Sequence, residues 1–465
     1  MKYLILSFVI LIQACATTSG NRQPLGDSYQ TYQGDTFQLR PMKQIILSNG
    51  LKVIFIKDDS LPLVHLQLRI NSGVREEAFR GLNSLTASLI EMGTKNRSAV
   101  QIAEELSDIA SEVVIQPDSD FTMISANSLS ENTDQLVALM SDLVRNPVFA
   151  QDEIDKMKSR TISQLKAKKD KPSEIASQLY SQMIYGDHPY GKDSEGTIES
   201  IKLITKDQIE SHYRNYFSPQ NSALVVVGQF SSHFEEKVKL AFGIWEKKNI
   251  SNKKVFTLKE NDQLKLRLVS KKDLKQTQIM IGQLGIQRTS PDYLFVRMAN
   301  EILGGSFASR LNQHVRDDLG LTYSIYSYSD PAADRGTISI STFTKNETVE
   351  KTIDEAMKVV NEFYEKGISE KELNAAKAQM IGQFPRAIET TSGFAFNIAY
   401  LDFHQIPVQY LVDFNKVVQS VTVADLNKVI KKYFNPNKNQ ILIYGDQAVI
   451  GDQLKKWKPE VVEIK

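Results

Sequence analysis

The sequence is almost without cysteine: Cys15 is the only one among 465 residues. No intrachain disulfide can form and no cysteine-based zinc site can be built. Histidine is scarce as well. The six are His65, His188, His212, His233, His314 and His404, and no two have the three- or four-residue spacing that clips a metal on one helix face. Singly, each reads as structural or surface-exposed, and only a distant three-histidine site is left open. Excess charge of one sign is also missing. Fifty-six Lys and Arg face 55 Asp and Glu, a net charge of +1, so no global field selects nucleic acid or an anionic membrane. The basic run at 166–171 reads as a solvated helix end. What remains, 41% apolar and 24% charged residues, is ordinary for a soluble globular protein, and the length suits two to four compact units.

The apolar run at 3–12, after Lys2, is too short for a comfortable membrane span and has the dimensions of an export signal. Ile12, Gln13, Ala14 and Cys15 resemble the processing box of a bacterial lipoprotein, with Gln13 an imperfect fit. On that resemblance residues 1–14 are a signal peptide and Cys15 becomes a lipidated N-terminus with a polar tether to residue 43. The alternatives are an ordinary signal peptide with an incidental cysteine, and a cytosolic chain with a chance apolar start. Folded structure is expected from about Gln44.

The C-terminal part repeats the N-terminal part. Ile204-Thr205 opens a helical stretch ending in Tyr216-Phe217-Ser218-Pro219, and Val421-Thr422 opens one ending in Tyr433-Phe434-Asn435-Pro436, at an offset of 217. Upstream, Glu153, Lys158, Ile162 and Gln164 recur as Glu372, Lys377, Ile381 and Gln383, at an offset of 219. Two matches at nearly one offset predict a duplicated unit of roughly 200 residues. Val64, Leu66, Leu68 and Ile70 alternate with His65, Gln67 and Arg69, which predicts a half-buried strand. Helices are expected at 100–109, 133–145, 153–168, 349–364 and 371–384, and strands at 122–126 and 337–342. Residues 243–262, with Lys247, Lys248, Lys253 and Lys254, read as an exposed linker between halves at 44–242 and 263–455.

The stretch 81–94 runs from Gly81 through Ser84, Ala87, Ser88 and Glu91 to Gly93-Thr94, and Asn146-Pro147 makes a turn ahead of Gln164. This frame resembles the pitrilysin, or insulinase-like, family of zinc peptidases (peptidase M16). The likeness is greatest to the class that includes the mitochondrial processing peptidase subunits and their bacterial relatives. Catalytic members carry His-x-x-Glu-His on a helix entered through a glycine and followed by Gly-Thr. On the resemblance, Ser84 and Ser88 stand at the histidine positions, Ala87 at the general-base position and Gln164 at the remaining ligand position. Hydroxyls and an amide are poor zinc donors beside imidazole and carboxylate, and Ala87 cannot take a proton from water. Glu91 shares a helical face with Ser84 and Ser88, but lacks a metal or second acid to work with.

A second signature is intact. Gly304 and Gly305 precede Arg310-Leu311, and Arg316 and Tyr323 follow, seven residues apart. The resemblance implies that Arg316 and Tyr323 approach substrate at the cleavage site, and that a subunit without zinc can present them to its partner. A tyrosine hydroxyl can donate to the developing oxyanion, and a guanidinium can hold peptide carbonyls. The plainer readings are a surface arginine paired with an acid and a tyrosine packed on its ring. Gly304 and Gly305 are expected to let backbone pass close to a peptide. Strands 122–126 and 337–342 are each either a peptide-accepting edge or an interior strand.

The expected fold is α+β: two homologous α/β halves in a clamshell, each of two related subdomains, as in LuxS/M16-type metalloenzymes. The expected function is a non-catalytic, substrate-binding subunit of a heteromeric M16 endopeptidase, inactive alone, with no cofactor of its own. Zinc and an intact His-x-x-Glu-His belong to the partner, and the ligand is an extended peptide. The expected location is the bacterial cell envelope, lipid-anchored on the periplasmic side, or else soluble in the periplasm. The alternative function is a non-enzymatic peptide-binding or assembly scaffold there.

Overall fold

The computed structural model describes residues 37–248, 250 and 255–463. Cys15, the export signal and most of the tether lie outside the described residues. The first sheet contains β1 (Met42–Ile46), β2 (Lys52–Lys57), β3 (Leu63–Ile70), β4 (Val113–Pro117), β5 (Thr122–Leu129) and β6 (Ser222–Gly228), in the order β1-β2-β6-β3-β5-β4. The second contains β7 (Lys265–Ser270), β8 (Gln276–Leu284), β9 (Ile325–Asp330), β10 (Thr337–Lys345), β11 (Gln440–Gly445) and β12 (Glu460–Glu463), in the order β12-β7-β11-β8-β10-β9.

The two orders superimpose strand for strand. Each sheet has one parallel pair in its middle, β2 with β6 and β7 with β11, and an antiparallel run outward from it. Only the last place differs, filled by antiparallel β1 in one copy and parallel β12 in the other. The sequence repeat appears in the helices that feed the central strands. Lys206–Tyr216 starts at a capping box made by Thr205 and Gln208, and Val423–Tyr433 at one made by Thr422 and Asp425. The recurring lysines do one job twice. Lys158 Nζ donates to the carbonyls of Lys202 and Ile204, and Lys377 Nζ to that of Gln419, so each ties down the end of the preceding helical segment.

The halves interlock by exchanging equivalent helices. Pro172–Tyr185 of the first half lies on β8 and β11, and Thr391–Phe403 of the second half lies on β3 and β6. Ala176, Tyr180 and Ile184 accordingly pack with Met280, Leu442 and Tyr444. Ile54, Ile56, Val225 and Val227 of the first sheet join the main core of the second half. Covering both faces of each sheet buries far more apolar surface than either half could alone.

This exchange corrects several expectations. His65, Gln67 and Arg69 do not face solvent: they are buried beneath the second half's helix, where Arg69 donates to Asp402 and to the carbonyl of Ala399. Burial there pushes the His65 imidazole down. The strands expected at 122–126 and 337–342 exist, and of the two readings open for them, edge or interior, both are interior. β5 lies between β3 and β4, and β10 between β8 and β9, so the outer positions on that side belong to β4 and β9. Packing also begins upstream of Gln44, since Phe37 meets Phe384 and Phe394 at ring-centroid distances of 6.0 and 6.1 Å. Between the halves, Trp245 is buried and Lys248 stacks on Tyr213 at 3.9 Å, so the start of the connection is core rather than free linker.

Candidate functional site

The helix that carries the altered motif is Leu82–Ser88, and its start is unusual. Gly81 is its N-cap in a left-handed conformation, φ 83°, and offers no side-chain cap. Glu77 takes that role, accepting from the backbone N–H groups of Gly81 (3.3 Å) and Asn83 (3.2 Å). Burial pushes the Glu77 carboxyl up to about 8, against the pull of those donors. Gly81 is also needed for space, because a Cβ there would lie 2.7 Å from the carbonyl oxygen of Glu195. The loop containing Ser194 and Glu195 therefore packs directly on the helix entry.

Ser84 Oγ donates to the carbonyl of Ser194 at 2.7 Å. Ala87 is completely buried, Ser88 is half-buried, and Gln164 is exposed on the neighbouring helix Gln151–Lys168. One methyl group, two hydroxyls and an amide are a donor set that does not fit zinc. Among the described residues no group of three or more His, Cys, Asp or Glu is placed to hold a metal ion. Glu91 is half-buried, which raises its carboxyl against the pull of the Arg160 charge. The nearby His212 is bonded within the fold to Asn83 and Ser72.

Arg316 and Tyr323 are in a different setting. Arg316 lies in the helical segment Asn312–Asp318; its Nε donates to Asp317 at 2.8 Å and its guanidinium lies 3.8 Å from the ring centroid of Phe307. Phe307 is itself 66% exposed, whereas the Arg316 side chain beneath it is only 16% exposed. Tyr323 is 87% exposed and therefore is not packed on its ring. The chain that carries it is pinned: Thr344 Oγ1 donates to the Leu321 carbonyl at 2.6 Å, and Thr342 Oγ1 to that of Ser324 at 2.8 Å. Tyr323 thus projects from a fixed backbone two residues before β9, the outer strand of its sheet.

Gly304 and Gly305 sit in the Glu301–Gly305 turn. A Cβ on Gly304 would meet Ser327 Cβ at 2.6 Å and Ser327 N at 2.8 Å, so its missing side chain serves close packing on β9. Sequence reasoning passed over Phe307, although it stands inside the Gly304–Leu311 signature, and over Glu77, four residues before the helix glycine. It also passed over the junction between halves, where Arg75 reaches Asp120 and Asp334, and Tyr190 and the Ala333 N–H reach Asp120.

Two family models match the chain: "Insulinase (Peptidase family M16)" over residues 52–198 and "Peptidase M16 inactive domain" over 203–380. The chain belongs to the peptidase M16 family. It is an M16 homologue whose motif positions no longer carry zinc ligands. Among curated relatives, "Uncharacterized zinc protease YmxG" of Bacillus subtilis is 27% identical over 76% of this chain and 85% of its own length. "Non-peptidase homolog YmxG" of Helicobacter pylori is 25% identical over 83% of this chain and 89% of its own. A solved peptidase M16 inactive domain from Pseudomonas fluorescens is 26% identical, covers 87% of this chain and 98% of itself, and superposes with a TM-score of 0.81. A protease from Helicobacter pylori, 18% identical with a TM-score of 0.82, covers 88% of this chain and all of itself, and shares the fold.

Proposed function

We propose that this chain is the non-catalytic, substrate-binding subunit of a two-chain M16 endopeptidase, and that it supplies Arg316 and Tyr323 to the zinc site of its partner. The observation that carries this reading is selective loss. Ser84, Ala87, Ser88 and Gln164 replace the metal centre, whereas Arg316, stacked on Phe307, and the exposed Tyr323, two residues before an outer strand, are kept. A substrate lying along β9 would pair backbone to backbone, which suits varied peptide sequences. Tyr323 then donates a hydrogen bond to the scissile carbonyl as it gains negative charge, and Arg316 steadies neighbouring carbonyls. The partner is an M16 chain with an intact His-x-x-Glu-His, and zinc is held there.

The lipoprotein-like start supports a location at the bacterial cell envelope, with the chain tethered through Cys15 on the periplasmic side. Isolating this chain from envelope fractions tests the pairing: a similar-sized M16 chain with the intact motif should come with it. Recombining the two should raise peptide cleavage above that of the partner alone. Recovery of only non-peptidase proteins, with no gain on mixing, would favour a scaffold role instead.

A further inference from the structure

Arg288 follows β8, and its backbone N–H donates to the Ala332 carbonyl at 3.0 Å. Its side chain turns inward and is only 5% exposed. It makes no ion pair with any described residue, and its Nε has no hydrogen-bond partner. What surrounds the guanidinium is aromatic: the ring centroids of Tyr293, Tyr410 and Tyr400 lie 3.9, 4.9 and 5.7 Å away. Ring faces favour a cation but take none of its hydrogen bonds. The Tyr410 hydroxyl is buried beside it, and Arg288 is the group placed to bond it. His404 lends no second charge, because burial, with Arg288 and Arg69 nearby, pushes it down to about 4. A buried guanidinium with no acid to pair with is uncommon in a folded protein.

Arg288 and Tyr410 line one cavity of about 320 Å³. The rest of its wall is mainly apolar, including Leu294, Ile406, Phe414 and Val417. The one acid on the wall, Asp413, accepts from Gln409 of its own helix at 3.1 Å and is not paired with Arg288. The volume is at the small end of ligand pockets, room for a single residue-sized molecule.

We propose that this cavity binds a carboxylate borne on one apolar group, with Arg288 and Tyr410 as donors to its oxygens and the apolar wall around its body. A free acid of this kind and the C-terminal residue of a peptide share this chemistry. The site is separate from Arg316 and Tyr323 and stands whether or not they act on a partner's substrate.

Titration calorimetry on the full mature chain tests it with three probes: N-acetyl-L-leucine, its amide, and a hexapeptide ending in leucine with a free carboxyl. The acid should bind at least about tenfold more tightly than the amide, because the charge-assisted bonds are lost with the carboxylate. Arg288→Gln should weaken the acid by a similar factor. Tyr410→Phe, which keeps the ring, should weaken it several-fold without unfolding, as followed by circular dichroism. Val417→Trp at the 38% exposed rim should block entry. Binding of the hexapeptide as tight as that of the acid assigns the site to peptide C-termini, and binding of the acid alone assigns it to a small free acid. Equal affinity for acid and amide, no binding of any probe, or full affinity in Tyr410→Phe and Val417→Trp would overturn the assignment.

Discussion

Asp402 joins the two halves, and its removal should be among the costliest single changes in the chain. Its Oδ1 accepts from Lys52 Nζ at 2.7 Å and its Oδ2 from Arg69 Nη1 at 2.9 Å. The side chains of Arg69, Asp402 and Lys52 are 6%, 15% and 34% exposed. Lys52 can return to water, so its share is below about 1 kcal/mol. Arg69 cannot. In Asp402→Ala its cation stays buried with only neutral acceptors, the Ala399 carbonyl at 2.8 Å and Asn71 Oδ1 at 2.9 Å. Breaking such a pair from one side costs about 3–5 kcal/mol, and the two surviving acceptors favour the lower end, about 3 kcal/mol. Urea unfolding, followed through the buried Trp245 and by far-UV circular dichroism, measures the loss. The double variant Arg69→Met/Asp402→Leu should recover most of it by removing the stranded charge. A loss under about 1 kcal/mol for Asp402→Ala, or a double variant no better than the single, would mean that Asp402 does not hold the Arg69 cation in this way.

Glu77 should make stability depend on pH. Its native carboxyl, near 8 against an ordinary 4.5, keeps a proton that the unfolded chain releases, so its contribution is complete below about pH 4.5 and is lost as pH rises through 8. The span amounts to at most about 5 kcal/mol, and urea midpoints at pH 5 and 8.5 should differ in the native chain far more than in Glu77→Gln. Gly304→Ala should push its turn off β9, costing about 1–3 kcal/mol and visible as a lower melting temperature. Lys158→Met and Lys377→Met should each cost about 1 kcal/mol in urea unfolding, nearly the same amount, because the two lysines cap equivalent segments.

Much of the architecture was legible because duplication repeats local signals that physics fixes locally. The two Thr-capped helices, the turns after them and the strands they feed recur at one offset, and the expected helix at 133–145 coincides with Thr133–Arg145. Neighbourhood was not legible. Alternation along 64–70 tells which side chains share a face, but not that a helix from the other half covers the polar one. The same gap left the sheet edges undecided, since a strand's sequence does not name its partners. Lys248 looked like a linker charge because nothing nearby in sequence announces the Tyr213 ring beneath it. At the candidate site, the loss of zinc donors was readable from residue type alone. The stacking of Arg316 on Phe307 and the bare exposure of Tyr323 depend on how the Glu301–Gly305 turn and β9 come together.

Steady-state peptide cleavage by the partner chain, combined in turn with the native chain and with Tyr323→Phe, decides whether the Tyr323 hydroxyl acts in catalysis. With Tyr323→Phe the kcat should be about a hundredfold lower and the KM little changed, because the hydroxyl acts on charge that develops only during reaction. An unaltered kcat would contradict this role in trans, as would hydrolysis by this chain on its own that disappears when zinc is chelated.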